Sequence, residues 1–136
     1  MGKKKVVLDT NILISALGWE GKPKNIFEMV LNGKLELFTS DKQLEELLRV
    51  LNYPKFDFSE EQKSKFINII LNSATLIKLE KIFEIIKEDP DDNIIITTAI
   101  NCNADYIISG DEHLLRLKNF KNVKILNPND FLNILK

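Results

Sequence analysis

The 136-residue chain has one cysteine, one histidine, one tryptophan, five glycines and four prolines. A single cysteine, Cys102, excludes an internal disulfide framework and a cysteine-based zinc site, and fits a reducing compartment. With so little glycine and proline the chain should be mostly regular structure, and it shows no linker, low-complexity tract or internal repeat. An excess of either charge is also missing. Nineteen Lys plus Arg against 20 Asp plus Glu give a formal net charge of −1, so bulk charge alone would not hold nucleic acid. No apolar run approaches the roughly 20 residues of a membrane span. Val6-Val7-Leu8, ended by Asp9, is too short for a signal-peptide core behind the basic start. No Gly-x-Gly-x-x-Gly or Gly-Lys-Thr/Ser element occurs, which removes the dinucleotide and P-loop folds. The expectation is one cytoplasmic domain over residues 1–136, with the 44% hydrophobic and 29% charged residues of a globular chain.

What is present alternates strands with helices. Lys4 to Leu8 reads as a buried strand and Asn11 to Leu17 as a helix, followed by a loop over residues 18–22. Pro23 opens a helix to about Asn32, with Gly33 as its stop. Leu35 to Thr39 is a second strand. Ser40 with Gln43, and Ser59 with Gln62, are capping-box signatures for helices over Asp41 to Leu51 and from Ser59 to about Ser73. Phe66, Ile67, Ile70 and Leu71 form the apolar face of the second. Thr75 to Leu79 suits a strand, and Lys81 to Lys87 suits either a strand or a short helix. Asp89-Pro90 starts a helix to about Asn103, Asp105 to Ser109 is a strand, and Glu112 begins a short helix. A strand at Val123 to Leu126 and a terminal helix from Asn129 complete the chain. This order predicts an α/β fold with a mostly parallel sheet.

Three strand or helix ends carry acids. Asp9-Thr10-Asn11 follows the first strand, at the edge where parallel sheets bind ligands, although Asp9 equally suits a helix cap. Asp89-Pro90-Asp91-Asp92-Asn93 opens an apolar helix; Asp89 is explained as its cap, whereas three acids in one turn exceed what a helix dipole needs. Ser109-Gly110-Asp111 leaves the late strand, with Gly110 expected to permit a sharp turn and Asp111 again a candidate cap. Glu45 has Arg49 four residues on, a routine exposed pair, while Glu46 is less easily dismissed as a solvated charge. If Asp9, Glu46, Asp92 and Asp111 converge, two charges about 5 Å apart repel by about 3 kcal/mol at an effective dielectric of about 20. Six such pairs reach on the order of 20 kcal/mol, so protons or divalent cations must relieve them. Oxygen donors select Mg²⁺ or Mn²⁺, and the implied chemistry is metal-assisted phosphodiester hydrolysis.

These residues carry a resemblance. Val6-Val7-Leu8-Asp9-Thr10-Asn11, Ser40 through Glu46-Leu47 to Leu51, Asp89-Pro90-Asp91-Asp92 to Ala99, and Ala104 through Ile108-Ser109-Gly110-Asp111 occur in the order of the PIN-domain family. The chain resembles in particular its small stand-alone prokaryotic members assigned as toxin components of toxin–antitoxin systems. The resemblance implies a three-layer α/β/α sandwich around a central, mostly parallel sheet. It implies a Mg²⁺- or Mn²⁺-dependent endoribonuclease acting on single-stranded RNA, a separate antitoxin protein as partner, and a homodimer or higher homo-oligomer. Asp9, Glu46, Asp92 and Asp111 match the family's acidic metal-site positions, and Asn11 and Ser109 its supporting polar ones. Ser109 stands where Thr is commoner and Asn93 where an acid often occurs. The competing reading is a PIN-like module that binds RNA or protein without catalysis.

Phosphotransfer folds fit less well. A dehalogenase-like phosphatase needs a second Asp two residues after the first, where this chain has Asn11, and a receiver domain lacks a placed phosphoacceptor, since Asp57 lies in an irregular stretch. Lys22, Lys24, Arg49, Lys55, Arg116 and Lys118 are cations available to RNA, each also explained as surface charge. Trp19 suits base stacking or packing against the body. His113 suits an acid–base role but is better explained as a surface helix residue. Cys102 receives no role. The Phe66/Ile70 helix and the Trp19 loop are candidate subunit contacts.

Overall fold

Val6, Val7 and Leu8 are fully buried, as a strand must be when helices cover both faces of a parallel sheet. They lie in β1 (Lys4–Leu8), inside a six-stranded sheet, in a computed structural model that describes residues 2–135. The remaining strands are β2 (Leu35–Ser40), β3 (Ala74–Ile77), β4 (Tyr106–Ile108), β5 (Asn119–Phe120) and β6 (Val123–Leu126), in the spatial order β3-β2-β1-β4-β6-β5. Every neighbouring pair is parallel except β5 with β6. Val6 is in register with Leu37 on one side and Tyr106 on the other. The chain winds outward from β1 to β2 and, in the opposite direction, from β4 to β6. The order therefore reverses between β1 and β4, where open α/β sheets form a crevice beyond the carboxyl ends of the strands.

Seven helices flank this sheet among the described residues: α1 (Thr10–Gly18), α2 (Lys22–Leu31), α3 (Asp41–Leu51), α4 (Glu60–Ser73), α5 (Pro90–Asn101), α6 (Glu112–Leu117) and α7 (Pro128–Ile134). The period-two alternation of β1 divides the core. Val6 and Leu8 pack with Ile12, Ile26, Leu47, Ile70 and Phe131 from α1, α2, α3, α4 and α7. Val7 packs with Ile95, Ile96, Ala99 and Leu114 from α5 and α6. The result is the expected three-layer α/β/α sandwich.

Where the structure departs from the sequence reading, buried polar groups explain most of it. The Ser59–Gln62 capping box closes reciprocally, but at α3 only Ser40 caps, accepting from the Gln43 N–H at 3.1 Å. The Gln43 side chain instead donates to the Leu8 carbonyl at 2.6 Å and accepts from the Thr39 hydroxyl at 2.6 Å. A buried carbonyl at the end of β1 needs a donor more than the half-satisfied helix start does. Residues 81–87 form neither strand nor helix. Their backbone is stitched to α5: Asn93 accepts from the N–H groups of Ile85 and Ile86 and donates to the Ile86 carbonyl, and Thr97 accepts from the Phe83 N–H.

Other differences are local. Gly33, at φ 77°, closes α2 as expected, whereas Gly110 has no positive φ and an added Cβ there would meet open space. The turn after β4 is made instead by the Ser109 hydroxyl, which accepts from the Asp111 N–H at 2.9 Å. On α4, Phe66 and Ile70 face the core but Leu71 is exposed. Trp19 packs against Phe56 and Phe58, with ring centroids 6.1 and 5.9 Å away, while half of its surface stays exposed. β5 had no sequence signal beyond the single apolar residue Phe120.

Candidate metal centre

Asp9 ends β1 and serves as the cap of α1, and both readings of it coexist in one carboxylate. Its Oδ1 accepts from the Ile12 N–H at 2.9 Å, and its Oδ2 accepts from the Ser109 hydroxyl. Ser109 is fully buried just past β4. The pair therefore bridges the two strands between which the winding reverses. A charge-assisted bond of this kind fixes the rotamer of the acid as well as its position.

Glu46 is brought to the same edge by α3. The Gln43 clamp on Leu8 ties the start of α3 to the end of β1, and Glu46 lies three residues on, on the same helix face. Its Oε1 accepts from the Thr10 hydroxyl at 2.6 Å. Thr10 is the polar residue whose role sequence reasoning missed; the signal was its place between Asp9 and Asn11, but its partner is 36 residues away. Arg49 was expected to pair with Glu45. It pairs with Asp91 at 2.7 Å, and Glu45 lies 3.7 Å from Lys42 instead.

The first turn of α5 delivers Asp89, Asp91 and Asp92. Asp89 is the cap, accepting from the Asp91 N–H at 3.0 Å. Asp92 is 6% exposed, and its Oδ2 is buried with no hydrogen-bond partner among the described residues. Asp111 caps α6, its Oδ1 accepting from the His113 N–H at 2.8 Å. Asp9, Glu46, Asp92 and Asp111 all line one recess of about 50 Å³, with Thr10, Asn11, Asp89, Asp91 and Ile95. Asn11 stands at its exposed margin, and Ser109 lies behind Asp9. A larger recess of about 530 Å³ lies between residues 81–85 and Phe120-Lys121, but Glu84 is its only carboxylate. Chemistry therefore concentrates in the small recess. One oxygen of Asp92, one of Asp111 and a ring nitrogen of His113 lie within 4.8 Å of one another.

The electrostatics follow from crowding and burial. Burial pushes the Asp9 carboxyl up from 3.8 to about 6, against the opposing pull of its Ser109 and Ile12 hydrogen bonds, with Asp111 adding to the rise. Burial likewise raises Glu46 from 4.5 to about 7, partly offset by Thr10, and Asp91 raises it further. Asp92 is raised most of the three, by burial first and then by the charges of Asp111 and Asp89. Such acids keep their protons to higher pH than free carboxyls do unless a cation replaces them. The buried, unpartnered Asp92 oxygen and an otherwise hard, oxygen-rich donor set fit a divalent metal ion.

The PIN domain family model matches residues 5–113. One chain of the crystal structure of VapBC2 from Rickettsia felis, bound to a DNA fragment from their promoter, superposes with a TM-score of 0.63 at 19% identity, over 90% of this chain and 98% of that one. Among curated proteins none matches the chain in sequence.

Proposed function

The chain belongs to the PIN domain family, and on that premise we propose that it is a divalent-metal-dependent endoribonuclease hydrolysing phosphodiester bonds of single-stranded RNA. The observation that carries the reading is the Asp92 Oδ2, buried and unpartnered in a recess lined by five further acids. Asp9, Glu46, Asp92 and Asp111 are the residues that would hold Mg²⁺ or Mn²⁺. Bound there, the ion supplies Lewis-acid compensation for charge developing on a phosphodiester. The chain's own groups prepare the site. Ser109 locks the Asp9 carboxylate, Thr10 holds Glu46, Asn11 offers an amide at the margin, and Ile95 adds an apolar side chain to the lining.

RNA as substrate rests on the family resemblance, and the net charge of −1 leaves its backbone to be held locally. Two of the six cations considered for that role form ion pairs: Lys24 with Glu20 at 2.9 Å, and Arg49 with Asp91 of the recess lining. The likeness to a chain of VapBC2 supports a separate protein partner. We take the chain to be the toxin of a toxin–antitoxin pair, cytoplasmic and homo-oligomeric. No helix among the described residues is long and apolar enough to cross a membrane.

The test is cleavage of a fluorescent single-stranded RNA by wild type, Asp9→Asn and Asp92→Asn, with EDTA, Mg²⁺ or Mn²⁺, alongside a matched DNA. Cleavage that needs metal, prefers RNA and disappears in both variants is expected. RNA binding without cleavage, unchanged by either substitution, would replace the nuclease with a silent binding module.

A further inference from the structure

His113 faces the same centre and is not explained by an all-carboxylate site. It sits in the first turn of α6, its backbone N–H fixed on the Asp111 cap at 2.8 Å and its Nδ1 3.5 Å from that carboxylate. Both side chains are about two-thirds buried. A ring nitrogen, an Asp92 oxygen and an Asp111 oxygen lie within 4.8 Å of one another. Ions with bonds of about 2.2 Å hold donors on opposite sides about 4.4 Å apart and adjacent donors about 3.1 Å apart, so side-chain adjustment would bring the three atoms onto one ion. The independent sign of a missing ligand is the Asp92 Oδ2, which is nine-tenths buried and unpartnered. Asp9 is by contrast already tied at both oxygens, to Ile12 and Ser109, and Glu46 is tied at one to Thr10.

We propose that an imidazole nitrogen of His113 joins carboxylate oxygens of Asp92 and Asp111 as a metal ligand. This mixed nitrogen–oxygen set makes the centre favour a divalent transition ion such as Mn²⁺ over Mg²⁺. The inference rests on the reading of the recess as a metal centre. Its chemistry is that imidazole suits transition ions, whereas Mg²⁺ is held almost wholly by oxygen. These three donors leave coordination positions for Asp9, Glu46, solvent or a phosphate oxygen.

The experiment uses Mn²⁺ on the RNA-free protein and reads binding directly. Electron spin echo modulation from ligand nitrogen is recorded for wild type, His113→Gln and Asp92→Asn, and Mg²⁺ competition is titrated in parallel. Nitrogen modulation in wild type that vanishes in His113→Gln is expected. The Mn²⁺-over-Mg²⁺ preference should then narrow by about tenfold or more. Thermal unfolding of His113→Gln like that of wild type separates a lost ligand from a lost fold. Mn²⁺ bound in an Asp92-dependent way with no nitrogen modulation would overturn the role of His113 and leave the metal centre standing. Mn²⁺ binding that is absent, or indifferent to Asp92→Asn, would overturn the metal centre and this inference with it.

Discussion

Replacing Asp9 by Asn should shift the stability of the metal-free protein relative to wild type increasingly in the variant's favour as pH rises. Asp9 is 7% exposed, and burial raises its carboxyl from 3.8 to about 6. Because the folded chain binds this proton more tightly than the unfolded chain, the group's stability is complete below the unfolded value and is lost as pH rises through about 6. A rise of that size corresponds to about 3 kcal/mol by pH 8, of which about half is already lost at pH 5. Asn keeps an acceptor for the Ile12 N–H and carries no charge, and its removal of charge also relieves Glu46 and Asp92, which the Asp9 charge raises. Asp9→Asn should therefore gain on wild type by about 1.5 kcal/mol between pH 5 and pH 8. For a chain of this size that is roughly 5 °C in Tm. Thermal unfolding in EDTA at the two pH values measures it, and the difference between the proteins cancels any pH-independent effect of the substitution. Adding Mn²⁺ at pH 8 should close the gap by raising wild type more than the variant. A gap that stays constant with pH, or shrinks toward pH 8, would refute the argument that burial of Asp9 dominates its ionisation.

Gln43→Leu leaves the Leu8 carbonyl and the Thr39 hydroxyl without their partner. It should cost about 2–4 kcal/mol in urea unfolding, and a loss under about 1 kcal/mol would mean that α3 is not clamped there. Thr10→Val preserves shape but removes the donor to Glu46. Metal-dependent cleavage should fall about tenfold or more and recover in Thr10→Ser; equal rates for Val and Ser would make the hydroxyl a bystander. Asn93→Asp removes the donor to the Ile86 carbonyl while keeping the acceptor for Ile85 and Ile86. Hydrogen exchange at residues 83–87 should accelerate by about tenfold or more, for a loss of at least about 1.4 kcal/mol, and unchanged protection there would assign the segment's order to packing.

Local order was legible in the sequence wherever cause and effect lie within one helical turn or one strand. The Ser59–Gln62 box, the Asp9, Asp89 and Asp111 caps, the Gly33 stop and the β-branched run of β1 each act within about four residues. They placed the elements, the sheet class and the edge at which Asp9, Glu46, Asp92 and Asp111 gather. Tertiary structure decided what the partners are. Gln43 chose the Leu8 carbonyl 35 residues away over its own helix start, Arg49 chose Asp91 over Glu45, Thr10 chose Glu46, and Asn93 took up the backbone of an irregular segment. The burial that strands the Asp92 Oδ2 and the approach of His113 to the Asp92 and Asp111 carboxylates belong to the same class. Helix periodicity and capping are written into neighbouring residues. The identity of a buried polar group's partner depends on sheet register and the docking of α3, α5 and α6, which exist only once the layers have packed.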